Sequence, residues 1–223
     1  MKPHHLAAAI TVLAVLGLTR GDARADVLSL NATVQGGGAG GSGISGDAQD
    51  AAFHEGTAPG GHIGPAYGVM LGVEFLFIDG WVEHTQYRDG EGLTGTWTQF
   101  MAGVDIKVNV GEERGGRVEE GKRTGDAYHS AYVEMGLGTG FGVGTGQQVM
   151  PPLDNAQVTD KGFLVQASFG LGYRLNRVIS LGVRVPVQAG YMFKNGVAND
   201  EGNQYISAQA AVLLGLRFDL QLK

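Results

Sequence analysis

The sequence contains no cysteine, which excludes a disulfide framework, a thiol nucleophile, a cysteine-based metal site and a lipid anchor carried on cysteine. Long apolar runs are equally lacking beyond the first 25 residues: no segment there holds 18 consecutive apolar residues, so no membrane-spanning helix is expected. Positive charge is in short supply as well. With a formal net charge of −6 the chain is a poor ligand for nucleic acid, whose phosphates call for a basic patch. Helical 3.6-residue periodicity is almost absent. In contrast, glycine is abundant, 39 of 223 residues with no G-x-y period, where ordinary chains carry roughly 7%. A composition 17% charged and 43% hydrophobic excludes disorder and a helical membrane protein, and the length suits one sizeable domain.

Residues 1–25 read as a secretory signal peptide. Lys2 and two histidines precede an apolar run from Leu6 to Leu18, and Ala23-Arg24-Ala25 supplies an A-x-A-like cleavage site. The run is too short to cross a bilayer as a helix, which needs about 20 residues. The mature chain is therefore expected to start at Asp26. Loss of Lys2, Arg20, Arg24 and Asp22 takes the formal charge from −6 to −8.

Residues 26–223 alternate. Every even-numbered residue from Ile206 to Leu222 is apolar, while Ser207, Gln209, Arg217, Asp219 and Gln221 interleave. The same grammar marks Asp26 to Gln35, Ala66 to Asp79, Trp81 to Tyr87, Thr96 to Val110, Val133 to Val143, Phe163 to Tyr173 and Ile179 to Tyr191. Asp79-Gly80 is a two-residue hairpin signal, and Leu175 to Val178 a second tight turn. Gly36 to Pro65, Arg88 to Gly95, Gly144 to Lys161 and Phe193 to Gln204 read as long polar loops, with the glycine-rich stretch Gly36 to Gly43 a flexible surface loop. The third segment leaves its register open, since Trp81, Glu83, Thr85 and Tyr87 compete with Val82, His84 and Gln86 for the apolar side.

Strands of this length, even in number, with long links on one side and tight ones on the other, predict an all-β fold: an eight-stranded antiparallel transmembrane β-barrel in an up-and-down meander. The apolar face is nearly unbroken, and Tyr67, Phe77, Trp81, Tyr173, Tyr191 and Phe218 near segment ends are expected to form interfacial girdles. Lipid satisfies no open edge, so the last strand is expected to close on the first. The second face gathers Glu74, Asp105, Lys107, Glu134, Arg174, Arg184, Arg217 and Asp219. An eight-stranded lumen is only wide enough for side chains to fill, so these charges are expected to pair in a packed plug, with inward glycines making room.

On this strand pattern, from Asp26 to Lys223, the sequence resembles the small outer-membrane β-barrel superfamily, the eight-stranded OmpA-, OmpX- and OmpW-like proteins. The resemblance implies an integral outer-membrane protein of a Gram-negative cell in contact with lipid and lipopolysaccharide. It is one of pattern, not of motif. Such barrels usually end on an aromatic residue, where this sequence has Leu222-Lys223 with Phe218 the nearest aromatic.

Candidate sites are few. His129, Ser130 and Glu134 form a possible hydrolase set resembling lipid A deacylases, but neighbours on a strand face opposite sides, so His129 and Ser130 do not meet without a bulge. His54 and His62 with Asp47, Asp50 and Glu55 have no distinctive metal-ligand spacing, and no metal is expected. Gly36 to Gly43 lacks the GK[ST] ending of a phosphate loop, and no cofactor is expected. Gly111 to Asp126 is unusually long for a periplasmic turn. Glu112, Glu113, Arg114, Arg117, Glu119, Glu120, Lys122 and Arg123 there could dock another envelope protein or form a solvated hairpin. The leading functional expectation is a non-enzymatic structural or interaction barrel, in the manner of a subunit of an envelope-spanning motility or secretion assembly. A narrow solute channel and an embedded lipid-modifying enzyme are the alternatives.

Overall fold

In the computed structural model, residues 28–45, 64–76, 78–88, 94–119, 122–124, 127–150, 154–194 and 204–222 are described. Ten strands follow in chain order: β1 (Leu28–Ser45), β2 (Gly64–Phe75), β3 (Ile78–Arg88), β4 (Thr94–Arg114), β5 (Arg117–Glu119), β6 (Lys122–Thr124), β7 (Tyr128–Met150), β8 (Asp154–Arg174), β9 (Ile179–Lys194) and β10 (Gln204–Leu222). Eight of them close a barrel in the order β1-β10-β9-β8-β7-β4-β3-β2, while β5 and β6 form a separate hairpin. Closure comes from β1 and β10, antiparallel from Leu28↔Leu222 to Ser45↔Tyr205. Every wall strand thus has a partner on both sides, as a barrel in lipid requires.

Alternation decides which side chains face out. Phe163 and Val165 are 66% and 63% exposed, whereas Leu164 between them is buried. Leu71, Phe100, Leu137, Val187, Val212 and Leu214 share the exposed apolar exterior. In water such a surface would be a severe liability.

Several boundaries differ from the sequence expectation. β1 continues through the glycine-rich stretch expected to be a loop, since Gly36 to Gly43 pair in register with Leu214 to Ser207. Weak strand propensity is overridden there by pairing with a neighbour, and by a close approach only glycine permits: a Cβ on Gly37 would lie 1.9 Å from the Val212 carbonyl oxygen. β7 and β8 likewise run far into Gly144 to Lys161 and pair out to Met150↔Asp154. The β2–β3 turn is not at Asp79-Gly80. Phe75 pairs with Ile78, and Leu76 between them takes a left-handed φ of 59°. This register sets Trp81 opposite Gly72 on the inward face, with its ring lying against Gly138.

β3 settles its open register the same way. Val82, His84 and Gln86 pair with the outward Leu71, Val69 and Tyr67, so Trp81, Glu83, Thr85 and Tyr87 face the interior. Trp81 is therefore not a girdle residue. Tyr67, Tyr173, Tyr191 and Phe218 do lie on the outside, and Phe77 falls outside the described residues. Inward glycines sit against large inward side chains: a Cβ on Gly172 would lie 2.1 Å from the Tyr132 ring and one on Gly138 2.3 Å from the Trp81 ring. Alternating large and small residues fit bulky groups into a lumen this narrow.

In the long segment Gly111 to Asp126, β4 and β7 first extend beyond a bulge to Glu113↔His129 and Arg114↔Tyr128. Gly111 takes a φ of 84° beside the bulge, a conformation glycine adopts without strain. The chain then turns through Gly115 and Gly116, φ 72° and 68°, into the β5–β6 hairpin.

Candidate functional site

The interior holds two layers of paired polar groups, one near the end of the barrel carrying Leu28 and Leu222, the other deeper. In the first, Glu134 on β7 is opposite Lys107 on β4 in register, and the Lys107 ammonium lies 3.7 Å from its carboxylate. Arg217 reaches over from β10, three places away from β7 around the ring, and donates from Nη1 to Glu134 Oε2 at 3.0 Å. Its Nε donates to Asp219 Oδ1 at 2.7 Å. One guanidinium thus serves two carboxylates, the geometry in which arginine surpasses lysine. Tyr132 extends the layer: Lys107 and the Arg174 guanidinium stand 5.5 Å and 4.8 Å from its ring centre. Arg174 also donates from Nη1 to Asn109 Oδ1 at 2.7 Å and to the His129 carbonyl at 3.2 Å.

The deeper layer centres on Glu83, only 4% exposed. Arg184 on β9 donates to it from Nη1 at 3.2 Å. With β9 and β3 four places apart in the ring of eight, this ion pair spans the barrel from one wall to the opposite one. Gln35 Nε2 and Gln99 Nε2 donate to the same carboxylate at 2.6 Å and 2.8 Å, and Gln99 donates on to Gln166 Oε1 at 3.1 Å. Trp97 Nε1 donates to Gln99 Oε1 at 3.2 Å, and Gln188 donates to Gln209. A carboxylate with an arginine and two amides converging on it is the arrangement a buried charge needs. The voids left beside these layers measure about 40, 40 and 50 Å³, room for a few waters at most.

Of the eight charges expected to line the lumen, Lys107, Glu134, Arg217 and Asp219 come together directly. Arg184 belongs to the other layer, Arg174 packs on Tyr132, and Glu74 accepts from Ser29 Oγ at 3.3 Å. Asp105 lies beside the first layer, lining a void with Asp79 and Glu134. Glu83, the centre of the deeper layer, was missed. Its only sequence signal was its place between Trp81 and Thr85 on one of two competing faces. Among the hydrolase candidates, Ser130 is buried, whereas by strand alternation His129 faces outward, its ring nitrogen 3.5 Å from the Gly111 carbonyl oxygen. The two side chains do not meet. His54, His62, Asp47, Asp50 and Glu55 lie outside the described residues.

A broad apolar belt on the exterior around a packed, charge-paired interior inverts the arrangement of a soluble protein and decides the class. The chain folds as an eight-stranded membrane β-barrel. Solved barrels share its architecture at low identity. Neisserial surface protein A is 10% identical, with a TM-score of 0.49 and coverage of 86% of this chain and 96% of that one. The N-terminal β-barrel domain of Pseudomonas aeruginosa OprF is 13% identical, with a TM-score of 0.44 over 86% and 97%. The outer membrane protein OprG from the same species is 11% identical, with a TM-score of 0.41 over 86% and 96%. No protein-family model and no curated protein matches the chain.

The expected docking residues surround the β5–β6 hairpin of the barrel. Glu112, Glu113 and Arg114 end β4, Arg117 and Glu119 belong to β5, and Lys122 and Arg123 to β6; Glu120 lies outside the described residues. Arg114 Nη1 donates to the Tyr173 hydroxyl at 2.8 Å, tying the base of the extension to the barrel rim. Beyond it Val118 stands 59% exposed.

Proposed function

We propose that this protein is an integral outer-membrane barrel with a structural or interaction role, a sealed body that acts through its ends and not as a pore or an enzyme. The observation that carries this reading is the Glu83–Arg184 pair, which bridges opposite walls and is flanked by hydrogen-bonded glutamines. An open pathway would need those groups to part, at the cost of leaving a buried charge unpaired.

On this reading the β5–β6 hairpin faces the periplasm and docks another envelope protein, as a subunit of an envelope-spanning assembly would. The exposed Val118 among charged neighbours, on an extension longer than a barrel turn requires, supports that assignment. A photo-crosslinking amino acid at position 118 is expected to give one discrete adduct in intact cells. With the crosslinker kept at position 118, the adduct should be lost when Lys122 and Arg123 are both replaced by Glu, while the variant barrel keeps its folded mobility in unheated gels. A position 118 that crosslinks to nothing but lipid would count against docking.

A further inference from the structure

The exterior carries a groove of about 760 Å³, within the size range of ligand sites. Its origin is a row of small outward residues: Gly80, Ala102 and Thr139 are register partners across β3, β4 and β7. One step along the strands, the neighbouring row is bulky. Val82, Phe100, Phe141 and Phe163 pair across β3, β4, β7 and β8, with Phe141 and Phe163 edge to face at 6.1 Å. The contrast between the two rows makes the groove. Within it the Thr139 hydroxyl donates to the Leu164 carbonyl at 3.0 Å.

The next row up, roughly 7 Å further along the strands, is polar. His84 and Thr98 are hydrogen-bonded at 2.8 Å, and Lys161, the register partner of Val143, is exposed and makes no ion pair among the described residues. Beyond it the Thr96 and Thr145 hydroxyls pair at 2.6 Å. A dry groove with a cation and hydroxyls in the row beyond it suits a lipid with an anionic head and an acyl tail.

We propose that this groove seats an acyl chain of a phosphorylated outer-leaflet lipid, with the head group on Lys161 and the His84–Thr98 pair. The site rests on the outer-membrane reading above, which puts the end bearing Lys161 toward the outer leaflet. Apolar contact holds the chain, and charge complementarity sets the head at the membrane surface.

Native mass spectrometry of the full-length mature barrel in mild detergent provides the test. The probe is a diphosphorylated, multiply acylated glucosamine disaccharide, the membrane anchor of lipopolysaccharide, alongside its dephosphorylated form. The wild type is expected to retain one phosphorylated probe. Ala102→Phe, which fills the groove, should weaken retention about tenfold, the equivalent of losing roughly two buried methylenes. Ala189→Phe is the control, since Ala189 lies in the same outward row two strands beyond Thr139, away from the groove. Lys161→Gln, on an exposed residue, should weaken only the phosphorylated probe. Equal loss in Ala102→Phe and Ala189→Phe, no preference for the phosphorylated probe, or a dimer mass that Ala102→Phe abolishes would each overturn the proposal. Insertion of the same samples into phospholipid vesicles reports separately on the outer-membrane barrel, so failure of the lipid site and failure of that reading are distinguishable.

Discussion

Arg217→Ala is expected to destabilise the barrel by about 3–5 kcal/mol, the range for removing one partner of a buried ion pair. The variant would leave Glu134 and Asp219 without the guanidinium that bonds both, with Asp105 close by and Lys107, 3.7 Å away, as the other salt-bridge partner of Glu134 among the described residues. Lys107→Ala should cost less, because its ammonium is 3.7 Å from Glu134 and twice as exposed as Arg217. Glu134→Ala combined with Arg217→Ala should lose less than the two single changes together, since each alone strands a charge. Urea unfolding in phospholipid vesicles, followed by Trp81 and Trp97 fluorescence, measures all three. An Arg217→Ala midpoint matching the wild type would show that the first layer does not hold the fold.

The second large effect separates two interior glycines. Gly103→Ala would place a Cβ 2.1 Å from the Leu137 carbonyl oxygen and 2.7 Å from the Gly138 Cα, backbone atoms of the paired strand. Neither atom moves without shifting β7, so a loss of about 2–3 kcal/mol is expected. Gly170→Ala would meet nothing closer than 3.5 Å, at the Glu134 Cβ and the Val183 carbonyl oxygen, and should fall within about 1 kcal/mol of the wild type. Refolding yield into vesicles and the urea midpoint test the contrast. Equal effects would mean that the interior glycines are interchangeable space.

Alternation from Ile206 to Leu222 and along Phe163 to Tyr173 made the barrel legible, because lipid on one side and a packed lumen on the other impose a strict period of two. The inward set of Lys107, Glu134, Arg217 and Asp219 followed from that parity. Which of them would meet did not, since Glu134 and Arg217 are 83 residues apart and their contact depends on shear and tilt around the ring. β3 was obscure for a local reason. Trp81 and Tyr87 face inward while His84 and Gln86 face outward, so the polarity that marks the other strands is nearly reversed and Glu83 is hidden. The strand through Gly36 to Gly43 was illegible because glycine carries no strand propensity and its pairing is dictated by β10.

A sealed interior is the claim on which the functional reading stands, and ion flow across a planar bilayer tests it most directly. The wild-type barrel, inserted and confirmed as folded, is expected to pass no resolvable current, while Glu83→Ala with Arg184→Ala, which removes the bridge between opposite walls, should yield discrete conductance steps. Steps of similar size from the wild type would contradict the account and make the lumen a pathway for small solutes.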